Sequence, residues 1–369
     1  MIIKDPNGDK AVKIKERYPV IKNAGNILAE ACTQRLGELY GDSPLQEIAQ
    51  RLTDELHSII QNNNETVYLV FKHIVDKARQ SGEPTGSRTA LGSSFVAFLL
   101  GCTPVNPLQP HYHCKACKHV EFVPGAASGF DLPDRPCPHC GGVMSGDGHD
   151  LPFKALSGLV GEKVLDIDID VPRGTSVHIK ELLEALFPDD VVLSAGAYSR
   201  SKKEVVRRPG SYMVIPQQYV EDIPVAYVGE NHDIAVTVQD YRELIHKYYK
   251  IGVRVSSNLK CLCELATETG IALDNVPVND PKVLQALQEG GTCAFNEFGT
   301  IRRDKAEINF DLPKGFSELV EQEQLRYPFP KPKIIYMMMI ILRMMWCKIN
   351  YPDVFNKVMD NEKQFRPKR

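Results

Sequence analysis

The sequence predicts an α+β protein on three observations. Helical text fills residues 20–80 and resumes after 257, short alternating strands lie between, and a stretch rich in Pro, Gly, Cys and His, 104–150, interrupts the order. The chain has 369 residues, 43% of them hydrophobic, enough for two domains or one elaborate domain with a real core. Its formal net charge of −3 gives no overall attraction to nucleic acid. Binding of that kind needs a local basic patch, for which "SRSKKEVVRR" (Ser199 to Arg208) is the best candidate. No charged n-region followed by an apolar h-region opens the sequence, so nothing in it is expected to direct secretion.

Residues 1–24 read as a polar leader. In the helical part, 25–103, "SPLQEIAQRLTDELHSII" opens with Ser43 as cap, Pro44 in the first turn and Gln46 three residues after the cap. A second helix is expected over Thr66 to Arg79, followed by the turn "SGEPTGSRTALGSS" and the apolar run "FVAFLLG". Residues 104–150 are too polar for a core and read as a metal-pinned insertion. Segment 151–256 holds the carboxylate stretch "GEKVLDIDIDVPR", a helix near Ser176 to Leu186, the strands "SYMVIPQQ", "IPVAYVG" and "DIAVTVQ", and helical text over Tyr241 to Tyr249. The remainder, 257–369, is helical, from Ser257 to Thr269 onward through "LDNVPVNDPKVLQALQEG" to "IIYMMMIILRMMW". Arg343 breaks that last run, and Lys333 and Lys348 bound it, so it is expected to be buried in protein and not to span a bilayer.

Four of the ten cysteines form two CxxC knuckles, Cys114/Cys117 and Cys137/Cys140, spaced as in a closed tetrahedral zinc site with four thiolate ligands. Such a site specifies a metal and leaves no open position for catalysis. His111, His113, His139 and His149 lie nearby as surface or supporting histidines.

On a strand of period two, Asp166, Asp168 and Asp170 point to one face while Leu165, Ile167, Ile169 and Val171 point to the other. Three like charges need either solvent or a divalent cation. The turn from Gly86-Ser87-Arg88 to Gly92-Ser93-Ser94 could cradle phosphates through close backbone approach, hydroxyl donors and a bidentate arginine, or it could be only a loop. Two carboxylates one residue apart, facing such a turn, are what two-metal nucleotidyl transfer requires, with a third carboxylate from a neighbouring strand.

Together these motifs resemble the PolC-type alpha subunit of bacterial DNA polymerase III. The resemblance is carried in order by "ELYGDSPLQEIAQRLTDELHSII", "GSRTALGSSFVAFLLGCTPVNPLQPHYHCKACKHVEF", "GFDLPDRPCPHCGG", "DGHDLPFKALSGLVGEKVLDIDIDVP", "RRPGSYMVIP", "NDPKVLQAL", "NEFGT", "PKGFSELV" and "YPFPKPKIIYMMMIILRMMWCKINYP". It covers roughly residues 25–355 and is specific from Gly86 to Pro172. It implies a polymerase-beta-like nucleotidyltransferase palm, a mixed sheet backed by helices, with a zinc-knuckle insertion and helical N- and C-terminal segments. By position, Asp166 and Asp168 match the family's catalytic aspartates, which hold Mg2+ or Mn2+. Ser87, Arg88, Gly92, Ser93 and Ser94 match its triphosphate-binding turn, and Cys114, Cys117, Cys137 and Cys140 its zinc ligands. The implied partners are primer-template DNA, a deoxynucleoside triphosphate and replication proteins, with no membrane. The implied place is the cytoplasm, near the nucleoid, of a bacterium or phage-infected cell.

The departures are local. The family's third aspartate sits in a "KLDILG"-like strand, and the match here, "KIGVRV", puts Gly252 at that position. A His-Pro-Gly-Gly segment becomes Arg208-Pro209-Gly210-Ser211, which keeps a cation and changes its geometry. Thr89 stands for a glycine, Lys333 for the histidine of "FPKAHA", and much of the fingers is missing between "FSELV" and "FPKPK". One reading is a palm that binds primer-template DNA or nucleotide with synthesis impaired or lost. A second is an active, reduced polymerase using Asp166 and Asp168, with Asp170 as third ligand, although consecutive Cβ atoms on one strand face are about 7 Å apart and Asp170 overshoots the metal pair. A third is a structural or interaction protein of replication. Rescue by Gly252→Asp is the sequence-level test of the missing ligand.

Overall fold

The computed structural model describes residues 19–87, 89–153, 168–175, 178–228, 234–245, 247–288, 315–326 and 329–364. Helix α1 (Ala24–Tyr40) buries Leu28, Cys32, Leu36 and Tyr40, one residue per turn, as an amphipathic stripe requires. Helix α2 (Gln46–Gln61) buries Ile48, Leu52, Glu55 and Ile59. It starts later than the sequence suggests: Leu45, with extended angles (φ −55°, ψ 145°), takes the cap position, and no side chain caps the helix. Helix α3 (Glu65–Gln80) matches expectation and is buried on nearly every side, from Val67 through Phe71 to Ala78. The short α4 (Phe95–Leu99) follows the Gly/Ser turn.

Residues of the cysteine-rich segment form a small sheet of β1 (His111–Cys114), β2 (Val120–Phe122), β3 (Arg135–Pro136) and β4 (Val143–Asp147), in the order β2-β1-β4-β3. The main sheet holds β5 (Asp168–Pro172), then, beyond α5 (Ile179–Leu186), β6 (Asp190–Ser199), β7 (Glu204–Pro216), β8 (Val225–Val228) and β9 (Ile234–Asp240). Helical text over Tyr241 to Tyr249 resolves into the single turn α6 (Tyr241–Leu244) and the start of β10 (Tyr249–Ser256). The alternation of "YKIGVRVS" explains the change, because Tyr249, Ile251 and Val253 all enter one core.

The sheet order is β5-β10-β7-β6-β9-β8, with β10 parallel to β5 and antiparallel to β7. Side-chain period two divides its faces. Ile169, Val171, Val192, Val214, Ile251 and Val253 share a core with α1, α3, α4 and α5. Asp168, Ser211, Lys250, Gly252 and Arg254 lie on the other face.

A second core gathers around α10 (Lys331–Asn350), with α7 (Ser257–Thr269), α8 (Pro281–Gln288), α9 (Phe316–Arg326) and α11 (Pro352–Gln364) packed about it. The methionine-rich run is buried inside the chain, as its interrupting charge suggests: Met337, Met338, Met339, Met344 and Met345 are all in that core. No helix among the described residues is long and apolar enough to cross a membrane.

Candidate functional site

Strand β5 lies at one end of the sheet, where its free edge is met by the Gly/Ser turn. The Gly86 amide donates to the Asp170 carbonyl (3.1 Å) and the Asp170 amide returns to Gly86 (2.7 Å). The Ser87 hydroxyl donates to the Asp168 carbonyl at 2.7 Å. The turn and the carboxylate strand, 81 residues apart, therefore form one unit. A side chain at position 86 has no room: a Cβ there would sit 2.3 Å from the ring of Tyr336 on α10.

The rest of the turn is held from beneath. Ser94 caps α4, accepting from Ala97 (3.0 Å), and its hydroxyl donates to Glu55. Glu55 also accepts from the amides of Phe95 (2.9 Å) and Val96 (3.2 Å), and burial raises its pKa. Arg51 ties the same turn down through the Ser93 and Leu151 carbonyls (2.8 and 3.0 Å). Gly92 lies in the 3-10 turn Ala90–Ser93, with Pro332 of α10 against it. Ser87, Ser93 and Ser94 are thus buried supports of the turn. Arg88 and Asp166 lie outside the described residues.

Asp168 and Asp170 are 5% and 0% exposed, which removes the solvated acidic face as an account of this strand. Register pairs Asp168 with Gly252 and Asp170 with Arg254 on β10. The position that resemblance assigns to a third aspartate is therefore beside Asp168, one strand over. The Asp168 carboxylate lies across it, since a Cβ at Gly252 would be 1.6 Å from Oδ1.

Both carboxylate oxygens meet cations. Lys250 Nζ is 3.0 Å from Oδ1, and Arg254 Nε donates to Oδ2 at 2.8 Å. Burial alone would raise the Asp168 pKa, but Lys250 and Arg254 outweigh it and hold the group below the usual carboxylate range. The alternation of "KIGVRV" sets Lys250, Gly252 and Arg254 on one face, but the motif drew attention only to the glycine, and the reach of the two cations to Asp168 comes from the pairing of the strands.

Along the same face, Ser211 on β7 pairs with Gly252, and Arg208 donates from Nε to the Ser211 hydroxyl at 3.2 Å. The Arg208 guanidinium stands 4.5 Å above the Tyr241 ring, whose centroid is also 5.6 Å from Lys250 Nζ. Arg208 thus belongs to the cationic side of the site, separate from the buried turn.

In the small sheet, the four sulfurs of Cys114, Cys117, Cys137 and Cys140 lie within 4.8 Å of one another. Cys114 and Cys140 are 3.5 Å apart, and Cys117 and Cys137 3.6 Å. A zinc tetrahedron with Zn–S bonds of about 2.3 Å sets its sulfurs about 3.8 Å apart, so the cluster fits that ion and is far too open for disulfides at about 2 Å.

His149 is fully buried against Phe130 and beside Phe316, with Nδ1 3.0 Å from the Ser128 hydroxyl. Burial pushes its pKa down to about 4, outweighing the opposite pull of Asp147. The unfolded chain takes up this proton near 6.5 and the folded one only near 4, so stability is full above 6.5 and falls as pH drops through that interval. A loss of about 3 kcal/mol is expected across the window. Urea unfolding at pH 7 and pH 5 should show about 2 kcal/mol of that fall in the natural protein and a flatter response in His149→Gln.

A mixed sheet backed by helices, with an aspartate strand zipped to a Gly/Ser turn and a separate small sheet carrying a four-cysteine cluster, fits a polymerase-like palm. The family described as "Bacterial DNA polymerase III alpha NTPase domain" matches residues 26–269, and the chain belongs to it. The DNA polymerase III PolC-type of Thermotoga petrophila is 32% identical over 363 residues, covering 82% of this chain and 26% of that protein. The PolC-type polymerase of Clostridium perfringens is 30% identical over 359 residues (82% of this chain, 25% of that protein). For that of Bacillus subtilis the figures are 29% over 367 residues, 85% and 26%. The region is PolC-like, and the chain spans about a quarter of the length of these relatives.

Proposed function

We propose that this chain is a PolC-like palm module that binds primer-template DNA and deoxynucleotide, with template-directed synthesis impaired or lost. The observation that carries the reading is the pairing of Asp168 with Gly252: the strand beside the matched aspartate presents no carboxylate where two-metal chemistry needs one. Removing a ligand from such a metal pair costs several orders of magnitude in rate, since the ions supply much of the transition-state charge stabilisation. The DNA-binding side is supported by Arg208 on the open face and by Arg200, Lys202 and Lys203 in the turn joining β6 to β7. The four-cysteine cluster holds a structural zinc in this reading, and the protein works in the cytoplasm of a bacterium or phage-infected cell.

Two assays on one preparation test it. Labelled primer-template should bind with an affinity that falls steeply with salt, and Mg2+ or Mn2+ should yield no primer extension above background. Metal-dependent extension that Asp166→Ala abolishes would establish instead an active, reduced polymerase. Absence of binding at low salt would remove DNA as the ligand and leave the replication-scaffold reading.

A further inference from the structure

We propose that the cavity between the C-terminal end of α3, helix α7 and helix α10 binds a small amphipathic carboxylate, with its charged end on Arg343 and its apolar body along α7 and α10. The site is separate from the aspartate strand and needs neither DNA nor a divalent cation.

The cavity has a volume of about 640 Å³, inside the range of about 300–1,000 Å³ that small-molecule sites occupy. Much of its wall is apolar: Leu259, Leu262 and Ala266 on α7, Ile271 just beyond that helix, and Met339 and Ile340 on α10. Arg343 stands in the same wall, one helical turn past Met339. It is the charge that interrupts the methionine-rich run, and it opens onto this space. Its side chain is 15% exposed, and Nε is buried with no hydrogen-bond partner among the described residues. The ion pair to Asp274 is loose at 3.7 Å, and the Asp274 side chain is 87% exposed. Burial lowers the Arg343 pKa against the pull of Asp274, but a guanidinium keeps its proton in proteins, so a poorly satisfied positive charge remains in an apolar wall. A carboxylate offers the two coplanar oxygens that match this donor fork.

The rest of the lining decides which anion fits. Glu83, Asp274 and Gly270, which closes the carbonyl end of α7, border the same space and disfavour excess negative charge. Arg79 is the second cation of the lining, but its side chain is 60% exposed and lies 3.9 Å from Asp76. Arg343 therefore balances one negative charge, and the second charge of a phosphate monoester would face the acids.

The cavity lies away from Asp168. Gly86 bridges antiparallel to Asp170, so Pro84 and Thr85 of the lining run toward the Pro172 end of β5, while Ser87 runs toward Asp168. Tyr336, whose ring leaves no room for a side chain at Gly86, also lines the cavity, and a bound ligand would rest against the back of the turn.

The test is calorimetric titration of the full chain with octanoate, octanol and octyl phosphate, each below the concentration at which it aggregates. Octanoate is expected to saturate a single site and to bind at least about tenfold more tightly than octanol, the gain set by charged hydrogen bonds. Octyl phosphate is expected to bind more weakly than octanoate. Arg343→Met keeps apolar volume while removing a weakly paired charge, and it should bind octanoate no better than octanol. Ala266→Phe fills the cavity with Arg343 intact and should abolish binding of both, with thermal melts confirming that each variant folds; if Arg343→Met does not fold, Ala266→Phe is read alone. Location is read from Cys263, a half-buried thiol of the lining, whose alkylation by N-ethylmaleimide octanoate should slow. Equal affinity for octanoate and octanol would leave only an apolar cavity, and tighter binding of octyl phosphate would make it a phosphate site. Either result overturns the proposal, as would no saturable binding, an unchanged Cys263 rate, octanoate preference surviving in folded Arg343→Met, or full affinity in folded Ala266→Phe.

Discussion

Serine in place of Cys137 is expected to unfold the small sheet and to lower the melting temperature of the whole chain. The buried hydrophobic cluster of β1–β4 consists of Tyr112, Cys114, Cys137 and Met144, so half of it is cysteines of the four-sulfur cluster that fits zinc. A sheet with that little apolar interior does little to offset the ordering of its loops, and a zinc ion bound by the four sulfurs would supply the difference. Structural zinc contributes about 10 kcal/mol or more in domains of this kind. The loss would spread. His113 bonds through Nε2 to the Leu39 carbonyl of α1 at 2.8 Å, and Asp131 accepts from the Ser317 amide at the start of α9 at 3.2 Å. Metal analysis should give about one zinc per chain, and chelation should reproduce the Cys137→Ser melt. A metal-free protein of unchanged stability would refute the zinc assignment.

The second large effect is expected at Asp168. Asn in its place keeps the shape and removes the charge, taking this carboxylate away from both the buried Lys250 and Arg254. Breaking one side of a buried ion pair costs about 3–5 kcal/mol. Lys250→Met should cost less, because Arg254 still reaches Oδ2 at 2.8 Å. Asp168→Asn with Lys250→Met removes both buried charges and should recover part of the loss, giving a coupling energy well outside additivity. Urea unfolding of the four proteins measures it. A loss below about 1 kcal/mol for Asp168→Asn, typical of an exposed pair, would mean that solvent reaches the site.

Most of the architecture was legible where pattern and burial agree. The stripe of α1, the nearly all-round apolar α3, α7 over Ser257–Thr269 and the buried methionine helix follow from periodicity and charge placement. Two boundaries were not. Ser43 and Pro44 form a good helix-start signal, but Leu45 stays extended and the helix begins after it. Tyr248 and Tyr249 read as helical until tertiary burial draws Tyr249 into β10. At the site, the motif located Gly252, and only register could set it beside Asp168. The significance of Lys250 and Arg254 depends on side chains crossing between strands, which no single-strand pattern encodes. The burial of Ser87, Ser93 and Ser94 was likewise invisible, since the carboxylate and arginine that support the turn come from α2.

The contact between Gly86 and Tyr336 has a consequence for biosynthesis. These residues are about 250 positions apart, so on a ribosome the turn would leave the tunnel on the order of ten seconds or more before the helix that walls it. Strand β5 waits too, since its neighbouring strand among the described residues is β10. During that interval α7, α8 and α9 lack the helix around which their core is built. The Gly/Ser turn thus takes its final shape only once α10 has been made, about 250 residues after the turn itself.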